Sequence, residues 1–121
     1  MPLVRHKIKR YGWVPDTPDQ RDHLYAAPVA RMKTLARRID LRRQCPRTIY
    51  DQGQLGSCTG NACIRMCQEM PGAMVHRGNE RAAVDLYELA TQLDGVPGQY
   101  PPDDTGSTTV GVLKAAQRRA F

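Results

Sequence analysis

The sequence predicts a mainly α-helical domain, and three observations predict it. Apolar residues recur at helical spacing in three stretches after residue 57, the first two lie between a cap residue and a breaker and the third follows a cap, and no two stretches alternate strongly enough to read as strands. The chain has 121 residues, enough for one domain with a real core. Its 10 glycines and 9 prolines give many loops without the composition of a disordered chain.

Residues 1–28 read as an extended N-terminal tail. Pro15, Pro18 and Pro28 punctuate it, and Tyr11 to Asp22 reads as extended chain and turns, with Trp13 and Tyr25 as anchors onto a core formed elsewhere. Val29, Met32, Ala36 and Ile39 lie at near-helical spacing, so a short helix is expected over 29–39. Pro46 then turns the chain at Cys45.

The first strong helix is expected over 58–70. Ser57 is its N-cap, Pro71-Gly72 its stop, and Ala62, Cys63, Met66, Cys67 and Met70 its apolar face. Asn79 caps a second helix running to about Leu93, with Glu80 in the positive first turn and Ala82, Leu86, Leu89 and Leu93 as its stripe. Asp94-Gly95 stops it, and 95–107 reads as a loop. A third helix starts near Thr109 behind a Thr108 cap. Val110, Leu113 and Ala116-Gln117 lie along one side, and Arg118-Arg119 sit at its negative end.

Net charge is +6, and its placement is uneven. Arg31, Lys33, Arg37, Arg38, Arg42, Arg43 and Arg47 crowd one segment against Asp40 alone. Such a run reads first as a solvated face and second as a contact for phosphate or an acidic protein. A nucleic-acid or membrane-surface binder built on 29–43 is the weakest reading, because no aromatic side chains interleave with the cations. No run approaches the roughly 18 apolar residues of a membrane span. Residues 1–10 are basic but lack the apolar region of a signal peptide, so a cytoplasmic or virion-associated protein is expected.

The cysteines are Cys45, Cys58, Cys63 and Cys67. An even count permits disulfides in three connectivities, whereas C-x-x-C pairs and histidines at zinc-ligand spacing are lacking. Cys63 and Cys67, at i and i+4, read better as free buried thiols. No metal and no cofactor is expected.

Cys58 stands apart. It follows Asp51-Gln52-Gly53-Gln54-Leu55-Gly56-Ser57, a glycine-rich turn that delivers a thiol to a helix start. A thiol attacks a carbonyl only as thiolate, and a helix N-terminus stabilises that anion. Gly53 and Gly56 let the backbone turn tightly and leave room for a substrate carbonyl. The Cys58 backbone N–H and the Gln52 side-chain amide are the candidate donors to an oxyanion.

Gln52 to Cys58 resembles the active-site turn of papain-like cysteine peptidases, whose local signature C-G-[SA]-C-[WY] aligns with Leu55-Gly56-Ser57-Cys58-Thr59 and agrees at Gly56, Ser57 and Cys58. The resemblance implies Cys58 as nucleophile, Gln52 as oxyanion donor, and Gly56 and Ser57 in the substrate cleft. Ile39-Asp40-Leu41-Arg42 looks like the family's entry into the mature domain. Asp103 to Thr108 looks like its substrate-aligning loop, which places Gly106 and Ser107 in the cleft. The Trp13–Asp22 segment and Leu55 are more similar to bacterial and bacteriophage members. Leu55 replaces the signature's first cysteine, so the family's usual disulfide there is missing, which suits a reducing compartment. Thr59 replaces the tryptophan that usually follows the nucleophile.

One departure is larger. The family's histidine and asparagine lie about 130–150 residues beyond the cysteine, past position 121. None of His6, His23 and His76 has the family's context, and His76 reads as a surface-loop residue. The expectation is therefore the helical lobe of an α+β papain-like fold over residues 29–121, without its β-rich lobe. Two functions compete. One is a thiol peptidase module with a peptide substrate, incomplete in this chain. The other is a catalytically silent module that serves as an interaction component of a large assembly such as a virion. Both expect protein partners, or self-association, over the side where the second lobe would sit, since large apolar patches seldom stay bare.

Overall fold

The computed structural model describes residues 11–22, 37–40, 49–69 and 79–119. In chain order these hold β1 (Trp13–Val14), α1 (Cys58–Glu69), α2 (Glu80–Leu93), β2 (Ser107–Thr108) and α3 (Thr109–Arg119). The fold is mainly helical, with one two-stranded parallel ladder that sets Trp13 opposite Ser107 and Val14 opposite Thr108. Most of the helix expected over 29–39, most of the basic 31–47 segment, Cys45, Met70 and all three histidines lie outside the described residues. No helix among the described residues is long and apolar enough to cross a membrane.

Capping chemistry sets the helix ends. Asn79 has extended backbone, and its Oδ1 accepts the Ala82 N–H at 2.9 Å. The far end of α2 closes at Asp94, whose Oδ1 accepts the Val96 N–H at 2.9 Å, followed by Gly95 at φ +73°. Thr108 Oγ1 accepts the Gly111 N–H at 3.0 Å, the expected cap of α3. A second cap comes from far away: Asp16 Oδ1 accepts the Val110 N–H at 2.9 Å. A carboxylate from the N-terminal segment thus meets the positive end of α3.

The core is Cys63, Ile64, Ala83, Leu86, Ala90, Val112, Ala115 and Ala116, with Tyr50, Cys67, Leu89 and Leu93 packed around it. It is built on small residues, and that rotates each helix from the phase its apolar residues predict. On α1 the buried positions are Thr59, Gly60, Cys63 and Ile64. Ala62 and Met66 face outward instead. A Cβ on Gly60 would stand 2.2 Å from the Ala83 carbonyl oxygen, so α1 and α2 touch backbone to backbone there. On α2 Leu86 is buried as expected, joined by Ala83, Tyr87 and Ala90, while the expected Ala82, Leu89 and Leu93 pack at the edge of the core. On α3 it is Gly111, Val112, Ala115 and Ala116 that are buried, whereas Val110 and Leu113 are exposed. A Cβ on Gly111 would lie 2.7 Å from Asp94 Cβ, so α3 too approaches through its smallest residue. Close approach of backbones outweighs side-chain hydrophobicity in choosing these faces.

Candidate functional site

The turn before α1 closes on itself. Gly53, at φ +60°, donates its N–H to Asp51 Oδ1 at 2.8 Å, and the Leu55 N–H reaches the Gln52 carbonyl at 3.3 Å. The Gln52 side-chain Nε2 donates to the Leu55 carbonyl at 2.9 Å. One N–H of that amide is therefore used within the turn, and an amide carries two. The Asp51 N–H donates to Glu80 Oε1 at 3.1 Å, which ties the turn to the start of α2.

Ser57 is buried, and its carbonyl accepts both the Asn61 N–H (3.1 Å) and Asn61 Nδ2 (2.9 Å). It stands in the N-cap position as expected. Its hydroxyl accepts Asn61 Nδ2 at 3.2 Å, a side chain of the first turn and not a backbone N–H. Cys58 follows as the first residue of α1 and is half-buried. The unpaired N–H groups and the dipole of α1 favour negative charge at this corner.

Cys58 lines a groove of about 350 Å³ with Trp13, Ala62, Met66, Val112 and Leu113 as its apolar walls. Thr59, Cys63 and Thr109 complete the lining. Cys63 differs from Cys58 in being buried, and burial, helped by the neighbouring Cys67, pushes its thiol up to about 11. It is a core group, not a nucleophile. Cys58, Cys63 and Cys67 are all free thiols.

A polar network behind the groove fixes the turn to the rest of the domain. Asp104 Oδ2 accepts the Gly56 N–H at 2.9 Å, across 48 residues of sequence. Its Oδ1 accepts the hydroxyl of Tyr87 at 2.5 Å, and that same hydroxyl accepts the Gly106 N–H at 3.0 Å. Tyr87 is fully buried, so its two partners depend on it. Three glycines meet beside this network. A Cβ on Gly12 would fall 1.5 Å from the Gly56 oxygen, and one on Gly106 (φ +75°) 2.4 Å from the Gly12 oxygen.

The structure thus brings the sequence-derived residues together. Gln52, Gly56, Ser57 and Cys58 share one turn, and Gly106 and Ser107 join it through Gly12 and Asp104. Gly106 and Ser107 are buried, and the Ser107 N–H is donated to the Gly12 carbonyl at 2.7 Å. The Gly106 N–H is taken by the Tyr87 hydroxyl, and Ser107 is paired with β1.

Sequence reasoning missed Asp104, Tyr87 and Trp13 as parts of the site. A tyrosine beside a leucine stripe in mid-helix was the available signal for Tyr87. Asp104 lies in the Asp103–Thr108 stretch that the resemblance singles out, but its bonds to Tyr87 and Gly56 left no signal, because these partners lie 17 and 48 residues away. The buried Thr59 Oγ1 and Asn61 Oδ1, both in the first turn of α1, have no hydrogen-bond partner among the described residues. No group of three or more His, Cys, Asp or Glu among those residues is placed to hold a metal ion. No family model, curated protein sequence or solved structure matches this chain.

Proposed function

We propose that the chain is a papain-like thiol peptidase module in which Cys58 is the nucleophile. The observation that carries this reading is the placement of the thiol: it is the first residue of α1, half-exposed on the wall of an open groove, behind a turn that also carries Gln52. Attack of the Cys58 thiolate forms an Sγ–C bond and moves the carbonyl electron pair onto oxygen. The Cys58 backbone N–H and the second N–H of the Gln52 amide are the donors assigned to that oxyanion. Collapse of the intermediate expels the amine, which takes up a proton, and leaves an acyl-thioester for water to hydrolyse. The imidazole that moves the proton, and the asparagine that orients it, are assigned to residues outside the described ones or to a partner chain. Gly56 and Ser57 shape the floor of the cleft, and Gly106 and Ser107 hold the strand that borders it.

An activated ester, N-acetylphenylalanine p-nitrophenyl ester, tests this. The expected result is one acyl group per chain, mapped to Cys58 and absent from Cys58→Ala. Acylation confined to other residues would sink the assignment.

A second reading is favoured by a different observation. Trp13, Met66 and Leu113 around the groove are 57%, 46% and 45% exposed. An apolar rim of this kind suits a silent module covered by a partner in a large assembly. That reading expects Cys58→Ala to leave assembly intact.

A further inference from the structure

We infer that Asp104 is a positioning residue for the thiol site, and that it acts through a single peptide group, Leu55–Gly56, on the side-chain amide of Gln52. Its part in acyl transfer rests on the function proposed above. The hydrogen bonds behind it stand on their own geometry.

The Leu55–Gly56 peptide is gripped at both ends. Its carbonyl accepts a Gln52 Nε2–H at 2.9 Å, and its N–H donates to Asp104 Oδ2 at 2.9 Å. Carboxylate, peptide and amide form one chain of bonds. The charged acceptor at one end polarises the peptide and strengthens the bond at the other. The tilt of the peptide plane then decides where the Gln52 amide sits, because its oxygen takes one amide N–H and leaves the other free for an oxyanion. Cys58 follows two residues beyond Gly56, so the same grip holds the thiol and its donor in one frame.

Gly56 is shaped to receive the carboxylate. A Cβ there would lie 2.8 Å from Asp104 Oδ1, so Asp104 occupies space that any other side chain at 56 would fill. Asp104 is exposed as a whole, yet both its oxygens turn onto donors of the fold. Water alone would satisfy an exposed carboxylate, so this inward arrangement serves geometry. The buried Tyr87 is its post: the hydroxyl donates to Oδ1 and accepts the Gly106 N–H. One carboxylate and one phenol thus set the turn bearing Gln52 and Cys58 against the start of β2.

Two reagents separate alignment from the thiol itself. Iodoacetamide reads the reactivity of Cys58, whereas N-acetylphenylalanine p-nitrophenyl ester also needs donors at the developing oxyanion. Both rates are mapped to Cys58 in the full chain, at one pH and at a temperature where circular dichroism shows every variant folded. Their ratio, ester over iodoacetamide, reports alignment. Asparagine at 104 keeps the size of the side chain but has one acceptor oxygen for two donors. Asp104→Asn should lower the ratio about tenfold, and Gln52→Ala at least as much. Adding Asp104→Asn to Gln52→Ala should change the ratio by less than about twofold, because the carboxylate works through that amide. Tyr87→Phe should lower the ratio in the same sense, and it carries the test if Asp104→Asn does not fold.

A wild-type ratio kept in Asp104→Asn, or in Tyr87→Phe where that variant carries the test, would overturn the inference while the peptidase reading stands. Losses that multiply in the double variant would overturn it too, since Asp104 would then act apart from Gln52. So would a ratio unmoved by Gln52→Ala. A wild-type Cys58 that takes iodoacetamide but never the ester would sink the peptidase reading, and the role of Asp104 in acyl transfer with it.

Discussion

The two long faces of α1 are built to opposite ends. The back face, Gly60 and Ile64, has no spare room: Gly60 abuts the Ala83 carbonyl and Ile64 is buried, while Cys63 sits at the boundary, buried yet touching the groove. The front face, Cys58, Ala62 and Met66, looks into a groove rimmed by the exposed Trp13 and Leu113. One helix therefore carries both a backbone-to-backbone contact of the core and an open apolar surface. The difference separates stability from function along a single element. Substitutions behind should act on folding, and substitutions in front on what the groove accepts.

The sharpest way to break that division is at Gly60. Valine there would drive a Cβ to 2.2 Å from the backbone oxygen of Ala83, which cannot move without shifting α2. We expect a loss of more than about 3 kcal/mol, visible as a collapse of the urea midpoint. Retention of the wild-type midpoint would mean that α1 and α2 do not cross where the structure places them.

Next comes the polar network that joins the two faces at the helix start. Tyr87→Phe removes the hydroxyl that serves Asp104 and Gly106 inside the core. Leaving the buried Gly106 N–H without its partner and the half-buried Asp104 Oδ1 short of one costs about 2 kcal/mol. The Gly56 and Gly106 amides should also lose hydrogen-exchange protection relative to those of mid-α2. A neutral substitution with unchanged protection would show that the turn is held by other contacts.

These two sites also mark the limit of what could be read from residues alone. Helix starts and stops were legible, because Asn79, Thr108 and Asp94-Gly95 act locally and their side chains reach only a few positions. The turn delivering Cys58 was legible for the same reason. Helix phase was legible in part, since Cys63, Leu86 and Ala116 are buried as expected. The buried faces follow Gly60, Ala83, Gly111 and Ala115, whose smallness permits contact but gives no hydrophobic signal. Met66, Val110 and Leu113 carry that signal and point outward. The Asp104–Gly56 link and the two-residue strands depend on distant parts of the chain and leave no periodic trace.

The thiols give a comparison within one helix that pH can sharpen. Burial holds the Cys63 proton up to about 11, above the ordinary value of 9.0. The unfolded chain loses that proton first, so stability is complete below pH 9 and falls as pH rises toward 11. The fall should be on the order of 1–2 kcal/mol, and Cys63→Ala should flatten it while lowering stability at neutral pH through the lost packing. At pH 8 only about one Cys63 in a thousand would be thiolate, so an aromatic disulfide reagent should modify Cys58 well before Cys63. A Cys63 that reacts as fast as Cys58 would place it on the front face.

The smallest effect is expected where the groove is most open. Leu113 is 45% exposed, and its outer half already meets water. Leu113→Ala leaves no sealed cavity, so the cavity cost that makes buried truncations expensive does not apply. The change in stability should stay within about 0.5–1 kcal/mol. The same substitution widens the pocket opposite Trp13, so its emission should move even though the melting curve does not. That dissociation discriminates between a binding wall and a core position. A loss of several kcal/mol would make Leu113 a buried core residue, and the front of α1 would then be as closed as the back.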